Sequence, residues 1–161
     1  MSPPSPAAQR VVLQTVLSLP APVLRLMSGG GVVYQGGRTL DPRLQYIAAQ
    51  ARREPHLSTL TPEEARRASA RLVALMAGRP EPGVRWEDLA IAGPGGAIPA
   101  RIYRPEGQDP EAPLLVYSHF GGGVLGDLET CHSFCTLLAA TGRGAVLSAA
   151  YRLAPEHRFP A

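Results

Sequence analysis

A glycine-rich segment in the second half of the chain has the composition of a turn that faces a ligand. Residues 119–127 read HFGGGVLGD, between an apolar run and a helix-like pattern. Glycines let the backbone approach a bound group closely and direct successive N–H groups at it. Two chemistries use such a turn. One is binding of a dinucleotide pyrophosphate, and the other is stabilisation of the oxyanion that forms during acyl transfer.

The dinucleotide interpretation fits the residues less well. The stretch from Gly121 to Gly126 matches the G-x-G-x-x-G pattern. However, the acidic residue expected about 20 positions later is missing, because Ala149 and Ala150 lie there. Asp127 would also place a negative charge where the pyrophosphate binds. The pattern therefore favours an oxyanion-binding turn, and no cofactor is predicted.

The elements around this turn predict an α/β arrangement. Leu114–Tyr117 is an apolar run typical of a strand covered on both faces, and Ala145–Ala149 is a second such strand. A helix is predicted over residues 128–141 between them. Arg85–Ala92 and Ile98–Tyr103 flank a Gly-Pro-Gly-Gly turn and predict a hairpin. The second half thus reads β-β-turn-β-α-β, with a crossover helix.

The first half of the chain is predicted to be mainly helical. Gln9–Leu19 has apolar residues at helical spacing, and Asp41 is placed as the N-cap of a second helix with Pro42 in its first turn. A Thr-Pro-Glu-Glu capping box at Thr61 starts a third helix, which is predicted to run to Gly78. Gln9–Leu19 could also lie on a membrane surface, but packing on the protein's own core is the preferred interpretation.

Composition narrows the class of protein. With 161 residues, 45% hydrophobic and 18% charged, the chain has a globular composition. All 16 basic residues are Arg and they are scattered, which argues against nucleic-acid binding despite a net charge of +3. No apolar run is long enough to span a membrane, and no signal peptide is recognised. We therefore expect a cytoplasmic location without membrane contact.

Two further sequence motifs resemble those of a known family. Residues 126–130 read GDLET and residues 151–161 read YRLAPEHRFPA. With the glycine turn, they resemble the hormone-sensitive-lipase branch of the α/β-hydrolases, whose members typically read HGGG, an aromatic residue, V-x-G-D and then YRLAPEHxFPA. The resemblance implies the N-terminal half of an α/β-hydrolase core in residues 81–161, with about four strands and one crossover helix. Residues 1–80 would be a helical cap region.

The resemblance also implies roles for the turn. Gly121 and Gly122 would supply the oxyanion N–H groups, and His119 would support the loop without taking part in the chemistry. Residues 151–156 would shape the turn below the site. No metal and no cofactor are implied. The implied substrate is a small-molecule carboxylic ester.

Three departures from the family pattern qualify these roles. Phe120 and Gly123 exchange the usual glycine and aromatic positions, and Ala150 stands where the family usually has Asp. The chain also contains no G-x-S-x-G motif; in the family the nucleophile, the acid and the triad His all follow the matched region. The chain alone is therefore expected to be inactive, whether it is a fragment, a truncated reading frame or one half of a split enzyme. Without the strand that pairs with it in the family, Leu114–Tyr117 should lie at an open sheet edge and leave an apolar patch bare. The expected partners are therefore a C-terminal hydrolase half or, by self-association, a second copy of the chain.

A different class of function stays open beside the hydrolase. The chain could be a non-catalytic binding or interaction module, or a truncated remnant, that keeps the oxyanion turn as a scaffold. Among the other residues with chemical potential, Cys131 and Cys135 are predicted on the core face of the helix, together with Phe134. His132 is predicted to be solvated. A metal site formed by these residues and His119 is not expected, because both cysteines lie on the core face.

Overall fold

The computed structural model describes residues 5–160. Its contacts form two compact units that divide between Thr61 and Pro62. The predicted cap and core divide later, between residues 80 and 81, and that boundary stays a prediction. By its contacts, the helix that follows Pro62 lies in the same unit as the sheet.

The first unit is built mainly from helices, as predicted. The cap at Asp41 is confirmed, because its Oδ1 accepts the N–H of Arg43 at 2.8 Å. The first helix begins before Gln9, because the Ser5 hydroxyl caps it by accepting the N–H of Ala8. Its elements are α1 (Pro6–Leu17), α2 (Ala21–Met27), β1 (Tyr34–Gln35), β2 (Arg38–Thr39), α3 (Pro42–Ala51) and a 3₁₀ turn (Leu57–Thr59).

The second unit contains one mixed sheet of four strands. The strand order is β3-β4-β6-β5; β3, β4 and β6 pair antiparallel, and β5 pairs parallel with β6. This is the predicted hairpin followed by the predicted β-α-β crossover. The elements are α4 (Pro62–Met76), β3 (Val84–Gly93), β4 (Gly96–Pro105), β5 (Leu115–Ser118), α5 (His132–Gly142) and β6 (Val146–Ala149).

The core of this unit lies between the sheet and α5. Tyr103 pairs with Val146 across β4 and β6, so both side chains point to the same face of the sheet. On α5, Cys135 and Ala139 are fully buried against that face. Phe134 is 46% exposed, so its predicted place on the core face was wrong.

The crossover helix begins four residues later than predicted, at His132. The reason is a turn closed by Asp127. One of its carboxylate oxygens accepts the N–H groups of Glu129 and Thr130, each at 3.0 Å, and the Thr130 hydroxyl accepts the N–H of Asp127. Asp competes well for backbone N–H groups, and here it completes a separate turn before the helix starts.

Strand β5 is not covered on both faces and lies at an open edge of the sheet, as predicted for the chain alone. Leu115 is 45% exposed and Val116 is 63% exposed. Tyr117 packs towards α5, where its ring lies 5.7 Å from that of Phe134. Among the described residues, β6 is the one strand that pairs with β5. Because Leu115 donates its N–H to Ala145 on the β6 side, strand alternation turns the N–H and C=O of Val116 to the open edge.

We expect the chain to self-associate through this edge, because an exposed apolar edge strand templates pairing with another chain. Val116→Lys should shift the protein towards monomer in size-exclusion chromatography with light scattering. Val12→Lys, at an equally exposed valine of α1, is the matched control and should leave the oligomeric state unchanged. A sharp monomer peak for the unmodified chain, with strong hydrogen-exchange protection across β5, would contradict the prediction.

No single helix within residues 5–160 has both the length and the apolar character needed to cross a membrane. The segments Ala7–Leu17 and Ala21–Met27 meet such a criterion only as a pair, and that pair is bent by 117°.

Candidate functional site

The glycine loop, residues 119–127, follows β5 directly and has a backbone that only glycine adopts readily. Gly121, Gly122 and Gly126 have φ values of 144°, 62° and 101°. A Cβ on Gly121 would overlap the carbonyl oxygen of Leu125, and one on Gly126 would overlap the His119 ring. Side chains are therefore excluded at both positions.

Hydrogen bonds close the loop on the carbonyl of Gly121. The N–H groups of Val124 and Leu125 both donate to this oxygen, at 3.1 and 2.9 Å. By contrast, the N–H groups of Gly121 and Gly122 have no acceptor within the part of the chain that the structure describes. The loop thus offers two adjacent backbone donors to an external group.

His119 is buried at the start of the loop, with 3% of its surface exposed. Its Nδ1 donates to the carbonyl oxygen of Phe120 at 3.0 Å, and its ring stacks on that of Tyr151 at 4.3 Å. The Tyr151 hydroxyl in turn donates to the His119 carbonyl at 2.7 Å. These contacts agree with a supporting role for His119, which stays a prediction.

The segment after β6 packs against the glycine loop. The N–H of Ala154 donates to the carbonyl of Gly123 at 2.8 Å, and the N–H of His157 donates to Leu153 at 3.0 Å. The predicted region 151–156 therefore does contact the loop. Beside it, Gly123 and Ala150 help to line a recess of about 470 Å³.

Arg66 of α4 is a residue of this site that the sequence did not reveal. Its Nε donates to the carbonyl of Val124 and one terminal nitrogen donates to that of Ala154, both at 2.8 Å. Its guanidinium also pairs with both carboxylate oxygens of Glu156, at 2.7 and 2.8 Å. These hydrogen bonds lower the pKa of Glu156 to about 2. Separations of 58 to 90 residues explain why no sequence pattern pointed to Arg66.

A second polar cluster lies between the hairpin and α5. Arg101 pairs with Asp88 and with Glu129, and one of its terminal nitrogens lies 3.2 Å from Nδ1 of His132. The same Nδ1 lies 3.1 Å from the Tyr103 hydroxyl. Because an Arg nitrogen can only donate, Nδ1 accepts and the imidazole proton is on Nε2.

The expectation that His132 is solvated was therefore wrong. Besides these hydrogen bonds, its ring meets Trp86 edge-on at 4.7 Å. Burial, followed by the nearby charge of Arg101, lowers the pKa of His132. The sequence hides this because His132 is off the apolar stripe of α5 yet faces the polar side chains of β3 and β4.

The two cysteines are free and buried on the core face, as predicted. The Tyr117 hydroxyl donates to Sγ of Cys131 at 3.3 Å, and burial raises the pKa of Cys135 to about 11. Cys135 is thus protonated at neutral pH and is not poised as a nucleophile. Residues 5–160 hold no group of three or more His, Cys, Asp or Glu side chains that could bind a metal ion.

Comparison with known proteins gives the class of this fold. Residues 115–161 match a family model described as alpha/beta hydrolase fold. The chain is 40% identical over 145 residues to carboxylic ester hydrolase LipN of Mycobacterium tuberculosis, covering 89% of this chain and 38% of LipN. It is 48% identical over 82 residues to esterase LipI of the same organism, covering 50% of this chain and 26% of LipI.

Solved structures agree with this class. The ester-hydrolase EH1AB1 from the metagenome of Lake Arreo superposes with a TM-score of 0.64 at 34% identity, over 89% of this chain and 40% of that enzyme. The resemblance to hormone-sensitive-lipase-type α/β-hydrolases is thereby confirmed, and the fold is that of the N-terminal portion of this class. The chain spans about two fifths of the length of LipN and EH1AB1.

Proposed function

We propose that this chain supplies the oxyanion-binding side of a serine carboxylesterase. One observation carries the proposal. The adjacent N–H groups of Gly121 and Gly122, on the loop directly after β5, have no hydrogen-bond acceptor among the described residues. Two relatives of the chain, LipN and LipI, are named a carboxylic ester hydrolase and an esterase, which supports the same chemistry. The substrate we propose is a small-molecule carboxylic ester.

In this mechanism a Ser nucleophile and its His and acid partners come from a C-terminal hydrolase portion. The Ser oxygen attacks the ester carbonyl carbon while His takes the Ser proton, and the carbonyl oxygen becomes an oxyanion. The N–H groups of Gly121 and Gly122 donate to that oxyanion. The C–O bond to the alcohol then breaks and His returns the proton to the leaving alcohol. Water repeats the sequence on the acyl-enzyme and releases the acid.

The remaining roles follow from this proposal. His119 keeps the start of the glycine loop in place through its contacts with Phe120 and Tyr151. Residues 1–80 act as a helical cap and residues 81–161 as the N-terminal half of the core. We propose a cytoplasmic location, with no metal or cofactor needed. The chemistry depends on side chains that this chain does not hold in a triad, so the chain alone should be inactive.

The test joins this chain to the C-terminal portion of LipN, in place of the region of LipN that it matches. The isolated chain should show no turnover of p-nitrophenyl acetate, whereas the chimera should hydrolyse it, with LipN as the positive control. Turnover by the isolated chain would contradict the proposed division of residues. A chimera that folds but is inactive would favour the alternative, a non-catalytic binding module that keeps the turn as a scaffold.

A further inference from the structure

Arg66 makes four hydrogen bonds, one to the glycine loop and three to the segment after β6. Two go to backbone carbonyls, those of Val124 and Ala154, and two go to the carboxylate of Glu156. The side chain of Arg66 is 29% exposed. Since Ala154 also donates its N–H to Gly123, the guanidinium bridges the loop and the segment after β6 at a point where they already touch.

The contact with Val124 connects to the oxyanion donor through two peptide groups. In a trans peptide the C=O and the N–H point in opposite directions. The peptide whose carbonyl Arg66 binds carries the N–H of Leu125, and this N–H donates to the carbonyl of Gly121 at 2.9 Å. The Gly121 carbonyl belongs to the same peptide as the N–H of Gly122, so this N–H points in the direction opposite to that carbonyl.

A second chain of peptides ends on the same carbonyl. The N–H of His157 donates to the carbonyl of Leu153, and the same peptide donates its other end, the N–H of Ala154, to the carbonyl of Gly123. The Gly123 carbonyl shares a peptide with the N–H of Val124, which donates to the carbonyl of Gly121 at 3.1 Å. Both chains therefore set the plane of the peptide that carries the Gly122 donor. The first of them begins at a charged guanidinium, and hydrogen bonds in series polarise one another.

We infer that Arg66 is the positioning residue of the glycine loop, which orients and polarises the Gly122 N–H through the peptides of Val124 and Gly121. This inference rests on the proposed function for its role in catalysis. The physical link itself concerns only this chain. Glu156 binds both terminal nitrogens of the same guanidinium, so the loop, α4 and the segment after β6 act as one hydrogen-bonded unit.

The experiment is hydrogen exchange of the unmodified chain and three variants, read by mass spectrometry with residue-level fragmentation. Arg66→Met keeps the length of the side chain and removes its charge and donors. The Val124 and Leu125 amides should then exchange about tenfold faster, while amides of β4 and β6 keep their rates. Arg66→Lys, which keeps the charge and one set of donors, should restore part of the protection. Arg67→Met on the same helix is the matched control, because Arg67 pairs with Glu63 and should leave the loop unchanged.

Unmodified rates for Val124 and Leu125 in Arg66→Met would overturn the inference. Loss of protection throughout the sheet in both Arg66 variants would also overturn it, because Arg66 would then be a general stabilising residue. A Lys variant no better than the Met variant would exclude the polarising role. Exchange needs neither a nucleophile nor a substrate, so these outcomes are independent of the esterase experiment.

Discussion

An active chimera that carries glycolic acid in place of Gly122 is expected to lose about 10²–10³-fold in kcat with little change in KM. Glycolic acid replaces the Gly122 N–H by an ester oxygen and leaves the backbone free to adopt the φ of 62° found there. The donor serves an oxyanion that exists only in the transition state and the tetrahedral intermediate, so substrate binding should be nearly unaffected. Steady-state kinetics with p-nitrophenyl acetate measure both constants.

Two ordinary substitutions at the same position separate the donor from the backbone geometry. Gly122→Ala keeps the N–H, and its Cβ would meet no atom within 4 Å, so its cost is the strain of an Ala at positive φ, roughly 1–2 kcal/mol. Gly122→Pro removes the N–H but also requires φ near −65°, so it should distort the whole loop. If the glycolic acid variant kept the kcat of the unmodified chimera, the oxyanion site would lie elsewhere.

Tyr103→Ala is expected to lower the free energy of unfolding by about 3–5 kcal/mol, the range for removing a large aromatic side chain from a core. Tyr103 is fully buried in the core cluster between β4 and α5, beside Cys135 and Val146. That loss is a large fraction of the roughly 5–15 kcal/mol that stabilises a typical domain. Urea denaturation followed by circular dichroism gives the difference, provided that the protein is kept dilute enough to remain monomeric.

The comparison variants divide this effect into its parts. Tyr103→Phe keeps the ring and removes the hydroxyl that meets Nδ1 of His132, which should cost about 1 kcal/mol. Tyr34→Ala changes a tyrosine that is 68% exposed in the first unit and should have little effect. Equal losses for the two alanine variants would mean that the second unit is not organised around Tyr103.

Local patterns predicted most of the second unit. The hairpin of β3 and β4 was readable because strand-forming residues flank a Gly-Pro-Gly-Gly turn, and the crossover because two apolar runs flank a helical stripe. The strand limits lie within two residues of the prediction. The glycine loop was predicted for the same reason, because the residues that form it are consecutive in the sequence.

The features that the sequence missed all depend on distant contacts. Val116 lies in a run typical of a strand covered on both faces, and only the family resemblance, not the local pattern, predicted the open edge at which it is exposed. His132 was predicted to be solvated, but its Nδ1 accepts hydrogen bonds from Arg101 and Tyr103 of β4, which are distant in sequence. Arg66 looked like one of several arginines on a helix. Its partners are 58 to 90 residues away, beyond any periodicity.

The hydrogen bonds of Arg66 also determine where the N-terminal part of such a protein can be exchanged for a foreign segment. The helix that carries it begins at Pro62, where the contacts divide. Recombination that exchanged everything upstream of Pro62 would bring in a new set of helices while keeping the guanidinium and both of its carbonyl partners. Exchange at the predicted cap boundary, after residue 80, would discard Arg66 with the old segment. Libraries that graft foreign N-terminal segments should therefore yield working loops more often when the junction precedes Pro62.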